Sequence, residues 1–214
     1  MNLRGCLKLL LFRDTTFSGE FSAIRKLIGP DCPRSIVDVG AADGFYGSNS
    51  YPFLARGWRG LLIEPHPGSF AKTQKLHERK TSVVCLNIAC ADTDGERPLY
   101  FGTSSDSHST LCTEDSERFR KVRSENFKMV QVRRLDTVLS EQRFPNDFGV
   151  LTIDAECMDY EVLLGIDLAM WRPRLIITED YKPKNPQKYD YLQKRSYLHS
   201  GQCGGNSIWM RRLK

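Results

Sequence analysis

No apolar run in this chain approaches the ~20 residues that a membrane-crossing helix needs, so no membrane span is expected. No CxxC pair occurs among its seven cysteines, at positions 6, 32, 85, 90, 112, 157 and 203. An odd count without close pairs argues against a disulfide framework and against a zinc site. These cysteines read as small hydrophobes in a reducing cytoplasm. No low-complexity run and no internal repeat is present, which excludes the solenoid and disordered classes. Lysine and arginine total 31 against 26 aspartates and glutamates, a net charge of +5, but the positive charge is dispersed. No nucleic-acid partner is expected from such a pattern. The opening "MNLRGCLKLLLFRDTTF" has a short apolar core broken by Lys8 and lacks a clear small-residue cleavage site. It reads as an ordinary N-terminal helix rather than a secretory signal.

What is present is a globular composition, 40% hydrophobic and 27% charged over 214 residues, enough for one well-packed domain over 1–214. "SGEFSAIRKLIG" predicts a helix with Ser18 as N-cap, Phe21, Ile24, Leu27 and Ile28 on one face, and Gly29-Pro30 as its end. Residues 1–33 are thus expected to be a helical segment. "SIVDVG" (35–40), "LLIEP" (61–65), "SVVCLNIACAD" (82–92), "FGVLTIDAE" (148–156) and "RPRLIITED" (172–180) read as strands. "FAKTQKLHERK" reads as a polar helix with few core positions, and "MDYEVLLGID" as another helix. "GERPLYFG" looks like a hairpin arm after the Asp94-Gly95 turn. "MVQVRRLDTVLSE" is a strand followed by a short helix. A Lys- and Tyr-rich helix and a last strand, "SIWMRR", close the chain. Alternation of strand and helix predicts an α/β, Rossmann-like fold, a mostly parallel sheet flanked by helices.

In such sheets the ligand sits beyond the carboxyl ends of the strands, near the switch in strand order. Acidic residues gather at those ends: Asp38, Glu64, Asp92, Asp154, Glu156, Glu179 and Asp180. The first strand runs into Asp38-x-Gly40-x-Ala42-x-Gly44. Gly40 and Gly44 permit positive φ and a tight turn, and Ala42 is small enough for close approach. A dinucleotide fingerprint would need glycine at 42 and 45, where Ala42 and Phe45 stand, and the Gly-Lys-Ser/Thr of a phosphate-binding loop is absent. A ligand without phosphates is therefore favoured. Glu64 ends the next strand, 24 residues after Gly40, where a carboxylate can accept both hydroxyls of a ribose. A nucleoside with a non-phosphate tail is S-adenosylmethionine (SAM).

Four blocks in order, "DVGAADGFYGSNSYPFLARGWRGLLIEPHP", "NIACADTDGERPLYFG", "LTIDAECMDYEVLLGID" and "RPRLIITED", resemble the FkbM-type SAM-dependent methyltransferases. The resemblance runs from about residue 18 to the C-terminus. It implies a class I methyltransferase fold with a seven-stranded sheet, SAM as methyl donor, and O-methylation of a sugar or a glycosylated natural product. It implies further that Asp38, Gly40, Ala41, Asp43 and Gly44 border the methionine part of SAM. Glu64 and Pro65 would lie at the ribose, Asn87 to Ala89 near the adenine, and Asp154 at the methyl group. Two positions depart from the pattern. The usual "DxEG" reads Asp154-Ala155-Glu156-Cys157, and the usual "GANDG" carries Ala42 in place of asparagine.

Methyl transfer to a hydroxyl needs an in-line nucleophile about 3 Å from the methyl carbon, and a base. Asp154 and Glu156 stand two apart at one strand end, so continued extended geometry would face both to one side. One would take the proton and the other orient the sugar. His108 in "SDSHSTL" is the other candidate base. Residues 103–128, polar and long, read as a lid over a small-molecule or glycan acceptor. A divalent metal bridging the carboxylates is a disfavoured alternative, and no metal ligand is assigned. Two other readings stay open: a non-catalytic SAM-binding module and a nicotinamide-dependent oxidoreductase.

Overall fold

The computed structural model describes residues 14–101, 109–112, 127–180 and 185–212. Its elements are α1 (Glu20–Leu27), β1 (Ser35–Val39), α2 (Tyr51–Leu54), β2 (Arg59–Ile63), α3 (Pro67–His77), β3 (Val83–Leu86), β4 (Ala89–Cys90) and β5 (Gly95–Tyr100). They continue with β6 (Phe127–Arg133), α4 (Leu135–Glu141), β7 (Asp147–Ile153), α5 (Asp159–Leu164), β8 (Arg172–Glu179), α6 (Pro186–Lys194), β9 (Tyr197–Cys203) and β10 (Asn206–Arg211). Seven strands form one sheet in the order β3-β2-β1-β7-β8-β10-β9. Pairing is parallel from β3 to β8 and antiparallel at β10 and β9. The order reverses between β1 and β7, where a crevice must open beyond the strand ends.

The central strands are apolar because both faces are covered. All five residues of β1 are buried. Val37 and Val39 face a cluster with Leu151, Ile153, Leu135 and Trp209, while Ile36 faces Phe21, Ile24, Phe53 and Ile177 on the other side. Alternate β1 residues thus serve two cores, and Asp38 falls among the second set at the strand's end.

Several boundaries differ from expectation, each for a local reason. The run "SVVCLNIACAD" is not one buried strand. β3 stops at Leu86 on the sheet edge, and β4 belongs to a second sheet of order β4-β6-β5. Asn87 turns the chain between them, donating to the carbonyls of Glu64 (2.8 Å) and Pro65 (3.0 Å). Cys85 is accordingly only half-buried. β5 pairs with β6 rather than forming a hairpin with β4. α1 starts at Glu20 with Gly19 as its N-cap, and Ser18 donates its backbone N–H to Glu20 instead of capping. Thr16 makes a parallel bridge to Gly47, so the end of the expected N-terminal helix is extended. Residues 1–13 and 102 lie outside the described residues, as do 103–108 and 113–126 of the expected lid, His108 included. Residues 127 and 128 open β6 rather than close a lid. β9 is an edge strand that sequence reading overlooked. Among the described residues no helix is long and apolar enough to cross a membrane.

Helix α3 buries Ser69, Thr73 and His77, a polar stripe at i, i+4 and i+8. His77 is 3% exposed, and neither ring nitrogen has a hydrogen-bond partner. Burial, helped by the Lys80 charge, pushes its pKa down to about 4. A neutral imidazole that charges only on unfolding stabilises the fold above pH ~6.5, and that contribution is lost as the pH falls towards 4. His77→Leu should therefore gain on the wild type by about 1–2 kcal/mol, or roughly 3–6 °C in Tm, between pH 7 and pH 5. A Tm difference that does not change with pH would remove His77 from the acid response.

Candidate active site

The site is built on two chain segments that touch at the crevice. Leaving β1, the backbone takes left-handed conformations at Gly40 (φ 87°), Ala42 (φ 48°) and Gly44 (φ 73°). A Cβ on Gly40 would lie 1.8 Å from the Asp154 carbonyl oxygen, so the two backbones leave no room for a side chain. The Asp154 N–H donates to Val39 O (2.9 Å), while Gly40 and Ala41 both donate to Ile63 O. Glu64 braces the turn: Oε2 accepts the Ala42 N–H (2.8 Å) and Oε1 the His66 N–H (2.7 Å). Thr73 donates its hydroxyl to Ala42 O (2.6 Å), and its side chain packs against Gly44. Asp43 Oδ1 accepts the N–H groups of Phe45 and Tyr46. Left-handed alanine costs roughly 1–2 kcal/mol, and the bonds at its N–H and C=O hold it there.

The second segment follows β7. The strand ends at Ile153, and Glu156 (φ 49°) and Cys157 (φ 75°) are both left-handed. Extended alternation therefore does not place Asp154 and Glu156; a strained turn does. It is held at three points. Asp159 Oδ1 accepts the Ala155 N–H (3.0 Å), and Oδ2 accepts the Glu179 N–H (2.8 Å). Thr110 donates its hydroxyl to Glu156 O (2.8 Å). Because φ near 75° suits glycine, Cys157→Gly should raise Tm by roughly 1–3 °C through relief of about 1 kcal/mol of strain. A fall in Tm would show that the exposed Cys157 side chain contributes more than its backbone costs.

Carboxyl groups crowd this junction. Burial raises the Asp154 pKa well above the carboxylate range, and the negative charges of Glu179, Asp159, Glu156 and Asp38 push the same way. Asp38 is raised to about 6 by burial, against the hydroxyl that Ser50 donates at 2.5 Å. Asp159 is raised to about 7, again by burial, with Lys188 and its backbone donors pulling down and Glu179 pushing up. Asp38 and Asp159 are thereby brought towards neutral pH, and Asp154 is the better proton acceptor for being raised, which suits acid–base work. Among the described residues no three His, Cys, Asp or Glu side chains converge to hold a metal.

Two hollows meet at the junction. One is narrow and mostly apolar: Ile63, Pro65, Ala89, Leu99, Leu111 and Met158 line it, with Glu64 among them. The other is a wider cleft of about 2020 Å³ that includes Asp38, Ala41, Asp43, Asn49, Lys72 and Glu179. Gly40, Ala42, Asp154 and Glu156 line both. Of the expected site residues, Asp38, Ala41 and Asp43 thus line the cleft, and Glu64, Pro65 and Ala89 the apolar chamber. Gly44 and Asn87 line neither; Gly44 packs on Thr73, and Asn87 ties the ends of β2 and β3. Sequence reading missed Leu99, Leu111 and Met158, which the second sheet and the turn after β7 bring in. It also missed Asn49, though its signal, the polar "SNS" before a short helix, was in view.

A sequence model of the family described as Methyltransferase FkbM domain matches residues 38–204. No curated protein matches closely enough to count as a relative. The crystal structure of Methyltransferase FkbM from Methylobacillus flagellatus KT is similar at TM-score 0.58 and 14% identity, covering 93% of this chain and 49% of that one. This chain therefore spans about half the length of that protein. The delta-N METTL16 MTase domain gives TM-score 0.50 at 11% identity, covering 99% of this chain and 94% of that one. The N-terminal domain of human METTL16 in complex with SAH gives TM-score 0.46 at 14% identity, over 91% and 68% of the two chains.

Proposed function

This chain belongs to the FkbM methyltransferase family, with the class I methyltransferase fold, and from that premise we propose that it transfers a methyl group from SAM to a hydroxyl of a sugar or glycosylated natural product. The observation that carries this reading is the pair of hollows sharing one wall at Gly40, Ala42, Asp154 and Glu156. The apolar lining of the first hollow suits an adenine ring, and Glu64 stands in that lining as an acceptor for ribose hydroxyls. The glycine loop, with Asp38, Ala41 and Asp43, fits the methionine end. SAM supplies an electrophilic methyl group when bound. Asp154, when ionised, accepts the proton of the attacking hydroxyl, and Glu156 orients the acceptor. His108 stays the second candidate base, and 103–126 the candidate lid. Phe17 and Tyr46, 67% and 62% exposed at the cleft, offer ring faces against which a sugar ring would bury its apolar side.

The nicotinamide reading is weaker, because a cleft rich in carboxylates offers no seat for a pyrophosphate. A nucleic-acid acceptor is disfavoured for the same reason. The cytoplasm is the proposed place of action, on the odd cysteine count without CxxC pairs. The reaction is tested with labelled SAM and a panel of sugars and glycosides. Transfer to at least one is expected; SAM binding without transfer to any would leave a binding module. Glu64→Ala tests the donor site, since it removes a charge-assisted acceptor worth roughly 1.5–3 kcal/mol. SAM affinity should weaken about ten- to a hundred-fold by calorimetry. An unchanged Kd would dismiss Glu64 from the ribose.

A further inference from the structure

Basic residues are dispersed along the sequence, but the fold gathers them at the edge of the large sheet that lies away from the site. Arg34 immediately precedes β1, Arg59 opens β2, Arg172 opens β8, and Arg211 ends the antiparallel β10. Ser35 pairs with Arg59 and Asp147 with Arg172, so the parallel strand ends are level. The contacts along this edge are continuous. The Arg59 N–H donates to Arg34 O (3.0 Å), the Arg34 guanidinium to Arg56 O, and the Arg59 guanidinium to the carbonyls of Gln142 and Arg143 (both 3.2 Å). Arg25 and Arg56 lie over the ring of Phe21, at 5.7 and 4.4 Å from its centroid. Arg25, Arg34, Arg56, Arg59 and Arg143 thus form one cluster, and all but Arg56 are exposed. Backbone carbonyls hold the Arg34 and Arg59 groups in place without cancelling their charge. Among the described residues no carboxylate forms an ion pair with Arg25, Arg34, Arg59 or Arg143. Farther along, Asp147 pairs with both Arg172 and Arg211, which leaves one positive charge over. An apolar group joins them: Met170 is 49% exposed, and Asn146, whose carbonyl accepts the Arg172 N–H, donates its amide to Met170 O (3.4 Å).

Clustered arginines with their guanidinium groups held in place suit a polyanion. A single nucleic-acid strand binds largely by stacking its bases on exposed rings. The rings at this edge, Phe21 and Phe144, are buried under guanidinium groups, Phe144 beneath Arg59 at 4.9 Å. An exposed methionine beside cations suits instead the boundary between lipid headgroups and acyl chains. We infer that this edge docks the protein on an anionic lipid surface. Both hollows lie beyond the opposite strand ends, at Gly40 and Asp154, so docking leaves them open to solution. The inference goes beyond the methyl-transfer reading and stands without it.

The test is co-sedimentation of the full chain with vesicles at about 0.15 M salt. Vesicles of phosphatidylcholine alone are compared with vesicles containing about one third phosphatidylserine. Binding to the anionic vesicles should be at least about tenfold tighter and should be lost at about 0.5 M salt. Each basic residue near such a surface is worth about fivefold in affinity. Arg34→Gln combined with Arg59→Gln should therefore weaken binding about 25-fold, while Arg34→Lys combined with Arg59→Lys stays within about threefold. Arg97→Gln combined with Lys128→Gln removes the same charge from β5 and β6 of the second sheet, whose Leu99 lines the apolar hollow. That pair should cost less than about fivefold. Equal binding to both kinds of vesicle overturns the inference. An equal loss in the two glutamine variants overturns it as well, because total charge and not this edge is then the cause. So does a loss in the lysine variant that matches the glutamine one, since the charge was kept. Single-stranded or duplex RNA that binds more tightly than the anionic vesicles, and releases the protein from them, would make the edge a nucleic-acid surface and end the lipid reading.

Discussion

Gly40→Val is expected to abolish measurable SAM binding and to lower Tm by roughly 6 °C or more. The Cβ it adds would sit 1.8 Å from the Asp154 carbonyl oxygen and 2.8 Å from the carbonyl carbon. Neither atom belongs to a flexible side chain, so β1 and β7 must separate where both hollows share their wall. The native φ of 87° adds strain that a β-branched residue tolerates poorly. Together these effects cost at least about 3 kcal/mol, and each kcal/mol is worth roughly 2–4 °C in a domain of this size. Calorimetry checks the binding and thermal unfolding the stability. A variant that binds SAM with wild-type affinity would show that the donor does not lie along this loop.

Asp154→Asn should cut turnover by about 10²–10⁴-fold, the usual contribution of a general base. It should leave SAM affinity within a few-fold. The expected effect on stability has the opposite sign from that of a structural acid. Asp154, half-buried at the wall of both hollows, has its pKa raised, so its protonated form fits the fold better than its ionised form. Its contribution to stability is complete below the unfolded carboxylate pKa and is lost as the pH rises through the folded value. Asparagine cannot ionise, so the variant's Tm should equal or exceed the wild type's at alkaline pH. The wild-type rate should rise with pH as Asp154 ionises. Glu179 is the first charge that raises the Asp154 pKa after burial. Glu179→Gln should therefore move the rise in rate to lower pH. A near-normal rate in Asp154→Asn would transfer the base to Glu156 or His108.

The parallel sheet is legible from the sequence because β1, β7 and β8 are nearly continuous apolar runs that only a doubly covered sheet accommodates. Gly40 and Glu64 are legible for a related reason: both follow such runs directly, and a strand end fixes where the next residues point. The limits of reading lie where position depends on distant partners. Leu99 and Leu111 reach the apolar chamber through the second sheet and the Tyr100–Thr110 bridge, which no local pattern announces. The polar face of α3 reads as solvent-facing, yet Thr73 is fully buried because it packs on the glycine loop. Asp154 and Glu156 both reach the site, but through left-handed backbone at Glu156 and Cys157 rather than through strand alternation. Residues 42 and 157 depart from the family pattern at two of the positions where φ is positive. The chain keeps the backbone shape there and holds Ala42 and the Glu156 carbonyl by hydrogen bonds from Thr73 and Thr110.

A crystal structure with bound S-adenosylhomocysteine tests the central claim most directly. The account predicts the adenine among Ile63, Leu99, Leu111 and Met158, the ribose hydroxyls on Glu64, and the sulfur at the wall formed by Gly40 and Asp154. An adenosyl group lying in the acidic cleft, or one that makes no contact with Glu64, would contradict it.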